Sequence, residues 1–88
     1  MTGKYEPLEI FLRDVPREKA ILSLSFAQIE AIIGAGLPNS AFTHRPWWAN
    51  QKDSKNHPQA NAWLSAGFQV QSVQQSSKTG SVEFRRAR

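Results

Sequence analysis

The sequence lacks cysteine and has only two histidines among its 88 residues. Without cysteine it can form neither a disulfide framework nor a thiolate metal site, and two histidines alone make a poor zinc site. No stretch approaches the roughly 20 apolar residues of a membrane-spanning helix. The N-terminal segment MTGKYEPLEI has neither the apolar core nor the cleavage site of a signal peptide. These absences predict a cytoplasmic protein with no metal, no cofactor and no membrane partner.

Length and composition predict one small domain. The chain is 40% hydrophobic and 20% charged, which is ordinary for a globular protein. A chain of this size buries only about 60–65% of its unfolded surface, so a deep enclosed active site is not expected. We expect a single domain over residues 1–88, with frayed ends at 1–4 and 86–88 and a flexible polar loop at 51–56.

The first half predicts a helix, a short strand and a second helix. A helical repeat of apolar residues follows Pro7, which suits a first helical turn, and Pro16 ends it. The alternation in KAILSLSF predicts a short edge or pairing strand. Ser25 and Gln28 have the spacing of a capping box, and Gly34 ends the second helix. The apolar repeat of the first helix consists of Leu8, Phe11, Leu12 and Val15.

The second half predicts two more helical segments and a hairpin. Ser40 is expected to cap a short helix over 41–44, which Pro46 interrupts. Pro58 starts a further helix with Trp63 on its buried side. The alternating stretches FQVQSVQQ and SVEFRRAR flank the glycine-containing turn SSKTG and predict a β-hairpin.

The element order resembles that of a winged helix-turn-helix domain, in which a short strand after the first helix completes a sheet with the wing hairpin. The resemblance implies a small α+β, winged-helix-like fold. The connection from 34 to 56 is much longer than the three- or four-residue turn of an ordinary helix-turn-helix. Which helix would enter a DNA groove is therefore left open.

Positive charge is concentrated in the second half, where residues 45–88 have a net charge of +5 against −1 for residues 1–44. This asymmetry predicts a surface that meets a polyanion. The residues expected to contact phosphates are Arg45, Lys52, Lys55, Lys78, Arg85 and Arg86. Those expected nearer the bases are Ser40, His44, Trp48, Asn50, Gln59 and Asn61. The alternative for Gln59 and Asn61 is that their side chains cap the helix or form part of its water-exposed polar side.

The stretch HRPWWAN contains two adjacent tryptophans, which cannot both face one core on a regular extended backbone. One ring can close the core against Trp63 and Phe68, while the other stays accessible beside Arg45. The sequence does not decide whether Trp47 or Trp48 is the accessible one.

Three strings, LSFAQIEAIIGAGLP, HRPWWAN and HPQANAWLSAGFQV, resemble the signature of an uncharacterised family of small bacterial proteins. The resemblance covers roughly residues 4 to 85 and implies no activity. Catalytic patterns are also missing from the sequence, since the serines lack a nucleophile elbow and the glycines lack a phosphate-binding pattern.

We therefore predict a non-enzymatic protein that binds nucleic acid, most simply duplex DNA. The alternative is a protein-interaction module or a mobile-element-borne inhibitor that uses the tryptophan pair and Arg45 as interface anchors, because Trp and Arg are frequent interface hot spots. The sequence leaves the oligomeric state open.

Overall fold

A computed structural model describes residues 3–51, 58–75 and 79–87 of the protein. Within these ranges the chain forms four α-helices, one 3₁₀ turn and three strands. The helices are α1 (Glu6–Arg13), α2 (Phe26–Ile33), α3 (Asn39–Thr43) and α4 (Pro58–Ser65), and the 3₁₀ turn spans Arg45–Trp48. The strands are β1 (Ile21–Ser25), β2 (Phe68–Gln74) and β3 (Ser81–Arg86).

The strands form one antiparallel sheet in the order β1-β3-β2, so the predicted edge position of β1 is confirmed. Leu24 in β1 and Val73 in β2 both lie opposite Val82 of the central strand. The register shifts between Val70 and Ser72, where a bulge interrupts the alternation of β2. The predicted α+β class with a C-terminal hairpin is confirmed, and the arrangement is compatible with a winged helix.

The capping box of α2 is confirmed in both directions. The Ser25 Oγ accepts a hydrogen bond from the Gln28 backbone N–H at 3.0 Å, and the Gln28 Oε1 accepts one from the Ser25 N–H at 2.8 Å. Gly34 ends the helix with a φ of 72°, a left-handed conformation that glycine adopts without steric cost. Local chemistry alone thus sets both ends of α2.

The core is built around a column of aromatic rings. Trp48 stacks on Phe26 with centroids 5.5 Å apart, and on its other side it stacks on Trp63 at 5.7 Å. Trp63 also contacts Phe84 of the central strand at 5.8 Å. Phe68 is fully buried as well, so the predicted core positions of Trp63 and Phe68 are confirmed.

Three local predictions differ from the structure or lie outside it. Ser40 does not cap α3, because the helix begins at Asn39 with Pro38 in the capping position. Arg86, expected in a frayed end, belongs to β3, where it lies opposite Phe68. The flexible loop predicted over 51–56 falls, apart from Gln51, outside the described residues.

Candidate nucleic-acid interface

The short helix α3 is positioned by contacts on both sides. The carboxylate of Glu30 in α2 accepts a hydrogen bond from the Leu37 backbone N–H at 2.8 Å, which fixes the connection that leads into α3. Ala41 in the middle of α3 is completely buried. The helix is therefore anchored on its inner side, and Ser40 and Thr43 remain exposed on its outer side.

The carbonyl oxygen of Ala41 joins α3 to the hairpin. It accepts one hydrogen bond from the Trp48 Nε1 at 2.9 Å and another from the Gln75 Nε2 at 3.1 Å. Gln75 directly follows β2. On the return side of the hairpin, the Gly80 carbonyl accepts a hydrogen bond from the Phe26 backbone N–H at 3.0 Å. The turn end of the hairpin thus lies against α3 and the start of α2.

Exposed polar and basic side chains lie on α3, directly after it, and at Thr79 next to Gly80. Neither His44 nor Arg45 makes a side-chain hydrogen bond or ion pair with another described residue. Ser and Thr hydroxyls, imidazole and guanidinium are all groups that bind phosphate oxygens or base edges. We call this surface the α3–hairpin face; it consists of Ser40, Thr43, His44, Arg45 and Thr79.

Trp48 does not belong to this surface, which corrects the prediction that placed it near the bases. It is only 1% exposed, and neighbouring rings cover both of its faces. Trp47 is the more accessible member of the pair, although it is half-buried. Its ring meets Trp48 edge-on at 4.7 Å and Tyr5 at 5.9 Å.

Two predicted base-contacting amides hold hydrogen bonds to other parts of the fold, which is a second correction. The Asn50 Oδ1 accepts hydrogen bonds from the Val70 backbone N–H at 2.8 Å and from the Trp63 Nε1 at 3.0 Å, and its Nδ2 donates to the Val70 carbonyl at 3.0 Å. Gln59 is only 4% exposed and donates to the Trp47 carbonyl at 2.9 Å. Gln59 is therefore too buried to contact DNA, and the amide of Asn50, an exposed residue, already has partners within the fold.

Asn61 lies away from α3, partly buried in a groove beside Lys4 and Tyr5. Burial raises the pKa of the Tyr5 phenol above its usual value. The groove also contains Glu6 and Glu9, whose carboxylates oppose the approach of a polyanion. The structure therefore does not bring Asn61 together with the α3–hairpin face.

The two predicted arginines of β3 have different environments. Arg85 is exposed on the outer side of the sheet. Arg86 is half-buried: its Nη2 donates to the Pro16 carbonyl at 2.9 Å, and its guanidinium lies 4.5 Å from the Phe68 ring centroid. Arg86 thus ties β3 to the connection between α1 and β1, and only Arg85 keeps the full freedom of a phosphate contact.

Lys52, Lys55 and Lys78 lie outside the described residues, so their predicted roles stay predictions. The described ranges contain no group of three or more His, Asp or Glu side chains that could hold a metal ion. No helix in these ranges is long and apolar enough to cross a membrane.

Sequence reasoning missed Thr43, Glu30 and Gln75. Thr43 lies three residues after Ser40, and residues at this spacing lie on the same side of a helix. The predicted short helix could therefore have indicated that the two side chains are exposed together. Glu30 and Gln75 act on backbone groups seven and 34 residues away along the chain. Nothing in the local sequence marks such partners.

Element order and strand pairing make this a small α+β domain with a C-terminal hairpin, compatible with a winged-helix-like arrangement. The chain belongs to a domain family of unknown function, DUF7662, which it matches over residues 5–87. The predicted membership of an uncharacterised family is thereby confirmed. No curated protein and no solved structure matches the chain.

Proposed function

We propose that the protein binds duplex DNA through the α3–hairpin face and has no catalytic activity. The observation that carries the proposal is the hydrogen bond from Gln75 to the Ala41 carbonyl, which joins the turn end of the hairpin to α3, whose Ser40 and Thr43 are exposed. In a winged-helix-like sheet, a wing and a neighbouring helix presented together can contact adjacent parts of one duplex.

The contacts divide into two kinds. Arg45 and Arg85, with the sequence neighbours Lys52, Lys55 and Lys78, neutralise phosphates and supply most of the affinity. Ser40, Thr43 and His44 lie on or next to α3 and contact base edges or nearby phosphates. At about 1.5 Å per residue the five residues of α3 are only about 7.5 Å long, so direct readout is limited to a few base pairs.

Arg85 can share the same duplex with the hairpin. It stands four residues along β3 from Ser81, which at about 3.3 Å per residue is about 13 Å. Along one strand of duplex DNA a phosphate follows about every 3.4 Å of the axis, so this span faces about four phosphates of that strand. Arg85 and the Ser81 end of β3 thus fit along one continuous stretch of a DNA strand.

A salt series of binding to duplex DNA tests the proposal. Five phosphate-contacting cations predict a slope of about −4 to −5 for log affinity against log salt concentration. Arg45→Gln is expected to reduce the slope by about one unit with little change in sequence preference. Lys4→Gln is the matched control, since it removes the same charge outside the proposed surface and should leave the slope unchanged.

His44→Ala tests the readout part separately. Its loss should change the order of preference among duplex sequences more than it changes the salt slope. Absence of salt-dependent binding to duplex DNA, single-stranded DNA and RNA at low ionic strength would overturn the proposal as a whole.

The alternative function, a protein-interaction module, is supported by the exposed Arg45 next to the half-buried Trp47. The burial of Trp48 removes one of the two expected anchor rings. This alternative would replace DNA binding if Arg45→Ala abolished capture of a protein partner while no nucleic acid bound. For either function we propose a bacterial, cytoplasmic setting on the sequence signature and composition alone.

A further inference from the structure

A pocket opens at the end of the sheet opposite the hairpin turn. It lies between the α1–β1 connection and the turn from α4 to β2, and its volume is about 490 Å³. Volumes of about 300–1,000 Å³ are typical of sites for small molecules. Its lining consists of Arg17, Leu64, Ser65, Ala66, Gly67 and Arg86.

Two arginines, Arg17 and Arg86, contribute to the lining of this pocket. No acidic side chain belongs to the lining, and no described carboxylate lies within ion-pair distance of Arg17 or Arg86. Arg13 shows the contrast, because its Nη2 lies 2.7 Å from the Glu9 Oε2. Two arginines in one lining without a carboxylate give the pocket a positive potential, which favours a bound anion.

Arg86 is held in place before any ligand arrives. Its Nε donates to the Lys19 carbonyl at 3.3 Å, its Nη2 donates to the carbonyls of Val15 and Pro16, and its plane covers the Phe68 ring. The described residues provide no partner for its Nη1. A guanidinium fixed in this way loses little entropy when it binds a planar anion.

Part of the pocket lining is apolar, with the exposed polar Ser65 between the apolar residues. Leu64 and Ala66 are half-buried there. Gly67, with a φ of 88°, leaves open space where a side chain would stand. The Leu64 carbonyl at the end of α4 is already satisfied by the Gly67 N–H at 3.1 Å, so it does not need a donor from the ligand. A cationic side and an apolar side together suit an organic anion.

We propose that this pocket binds a small organic carboxylate, with the carboxylate on Arg17 and Arg86 and the apolar part against Leu64 and Ala66. The proposal does not rest on DNA binding, because neither Arg17 nor Arg86 is a proposed DNA contact, and Arg85 points to the opposite side of the sheet from its neighbour Arg86.

Titration of the full chain with benzoate, followed by NMR, tests the site. Saturable shifts are expected at the backbone amides of 64–67 and at the Arg86 Nε–H. Acetate should bind at least about fivefold more weakly, because it lacks the apolar surface that the pocket would remove from water. Equal affinities for acetate and benzoate, tighter binding of inorganic phosphate, or shifts spread over the whole surface would each overturn the proposal.

Variants that remove one positive charge distinguish binding of benzoate in the pocket from its general attraction to a positively charged protein. Arg17→Gln should weaken benzoate binding about tenfold, as expected for loss of one charge-assisted contact. Lys4→Gln removes the same charge elsewhere and should leave the affinity unchanged; an equal loss in both variants would contradict the site. Duplex DNA should not displace benzoate, and competition between them would assign the pocket to the DNA surface instead.

Discussion

Asn50 joins the indole of Trp63 to the edge of the sheet with a single side-chain amide. Its Oδ1 lies 3.0 Å from the Trp63 Nε1 and 2.8 Å from the Val70 N, and its Nδ2 reaches the Val70 carbonyl. The amide therefore occupies the position of a backbone group on a further strand beside β2. This contact fixes the chain that follows the tryptophan pair.

Replacing Asn50 by alanine should lower the free energy of unfolding by about 2–3 kcal/mol, because it leaves two donors and one acceptor without partners. Urea denaturation measures the change. Asn39→Ala is the matched control, since Asn39 is exposed and its side chain should contribute less than about 0.5 kcal/mol. Equal losses in the two variants would show that the Asn50 network does not stabilise the fold.

The three tryptophans should differ in their contribution to stability. Trp48→Ala and Trp63→Ala are each expected to cost about 3–5 kcal/mol, since both rings lie in the buried aromatic column. Trp47→Ala should cost only about 1–2 kcal/mol, because part of that ring is already in water. Thermal unfolding midpoints of the three variants, measured in the same buffer, give the order of their stabilities. A loss of stability in Trp47→Ala as large as in Trp48→Ala would contradict the difference in burial of the two rings.

Arg86 and Arg85 provide a matched pair of neighbouring arginines. Arg86→Gln should cost about 1–2 kcal/mol, because it removes charge-assisted hydrogen bonds to carbonyls and a cation–π contact with Phe68. Arg85→Gln should change stability by less than about 0.5 kcal/mol. The midpoint of urea unfolding distinguishes them, and the reverse order would contradict the structural role of Arg86.

Two glycines near the end of α2 should respond oppositely to alanine. Gly34→Ala should cost about 1 kcal/mol, since no contact blocks a methyl group there but the φ of 72° strains any residue with a Cβ. Gly36 has no positive φ, and a Cβ there would meet the Glu30 Oε2 at an ordinary 3.6 Å. Gly36→Ala should therefore be neutral or slightly stabilising. Calorimetric midpoints of the two variants test the contrast.

The parts of the fold that the sequence predicted correctly depend on nearby residues. The Ser25 and Gln28 pair is visible at a spacing of three, and the alternation of Val82 and Phe84 with polar residues marks the buried side of β3. In each case the residues that form the recognisable pattern are also the residues that stabilise the element. Such elements were therefore predictable without knowledge of the tertiary structure.

The tryptophan pair and the two structural amides were not predictable in this way. In a 3₁₀ turn successive side chains are about 120° apart, so Trp48 points inward and Trp47 to one side, but the sequence does not identify the turn type. Asn50 and Gln59 have the same donors and acceptors as amides that bind DNA. Only the folded chain shows that their partners lie 20 and 12 residues away.

The position of β3 also constrains the order in which the chain can fold. β3 follows every other element in the sequence, yet it is the central strand, and its Phe84 lies opposite both Leu22 and Val70. β1 and β2 are not hydrogen-bonded to each other, because β3 lies between them. During synthesis β1 therefore has no partner strand until β3 has emerged from the ribosome. Until then the helices can collapse only around an incomplete core, and closing the long loop from β1 to β3 becomes the slow, entropically costly step.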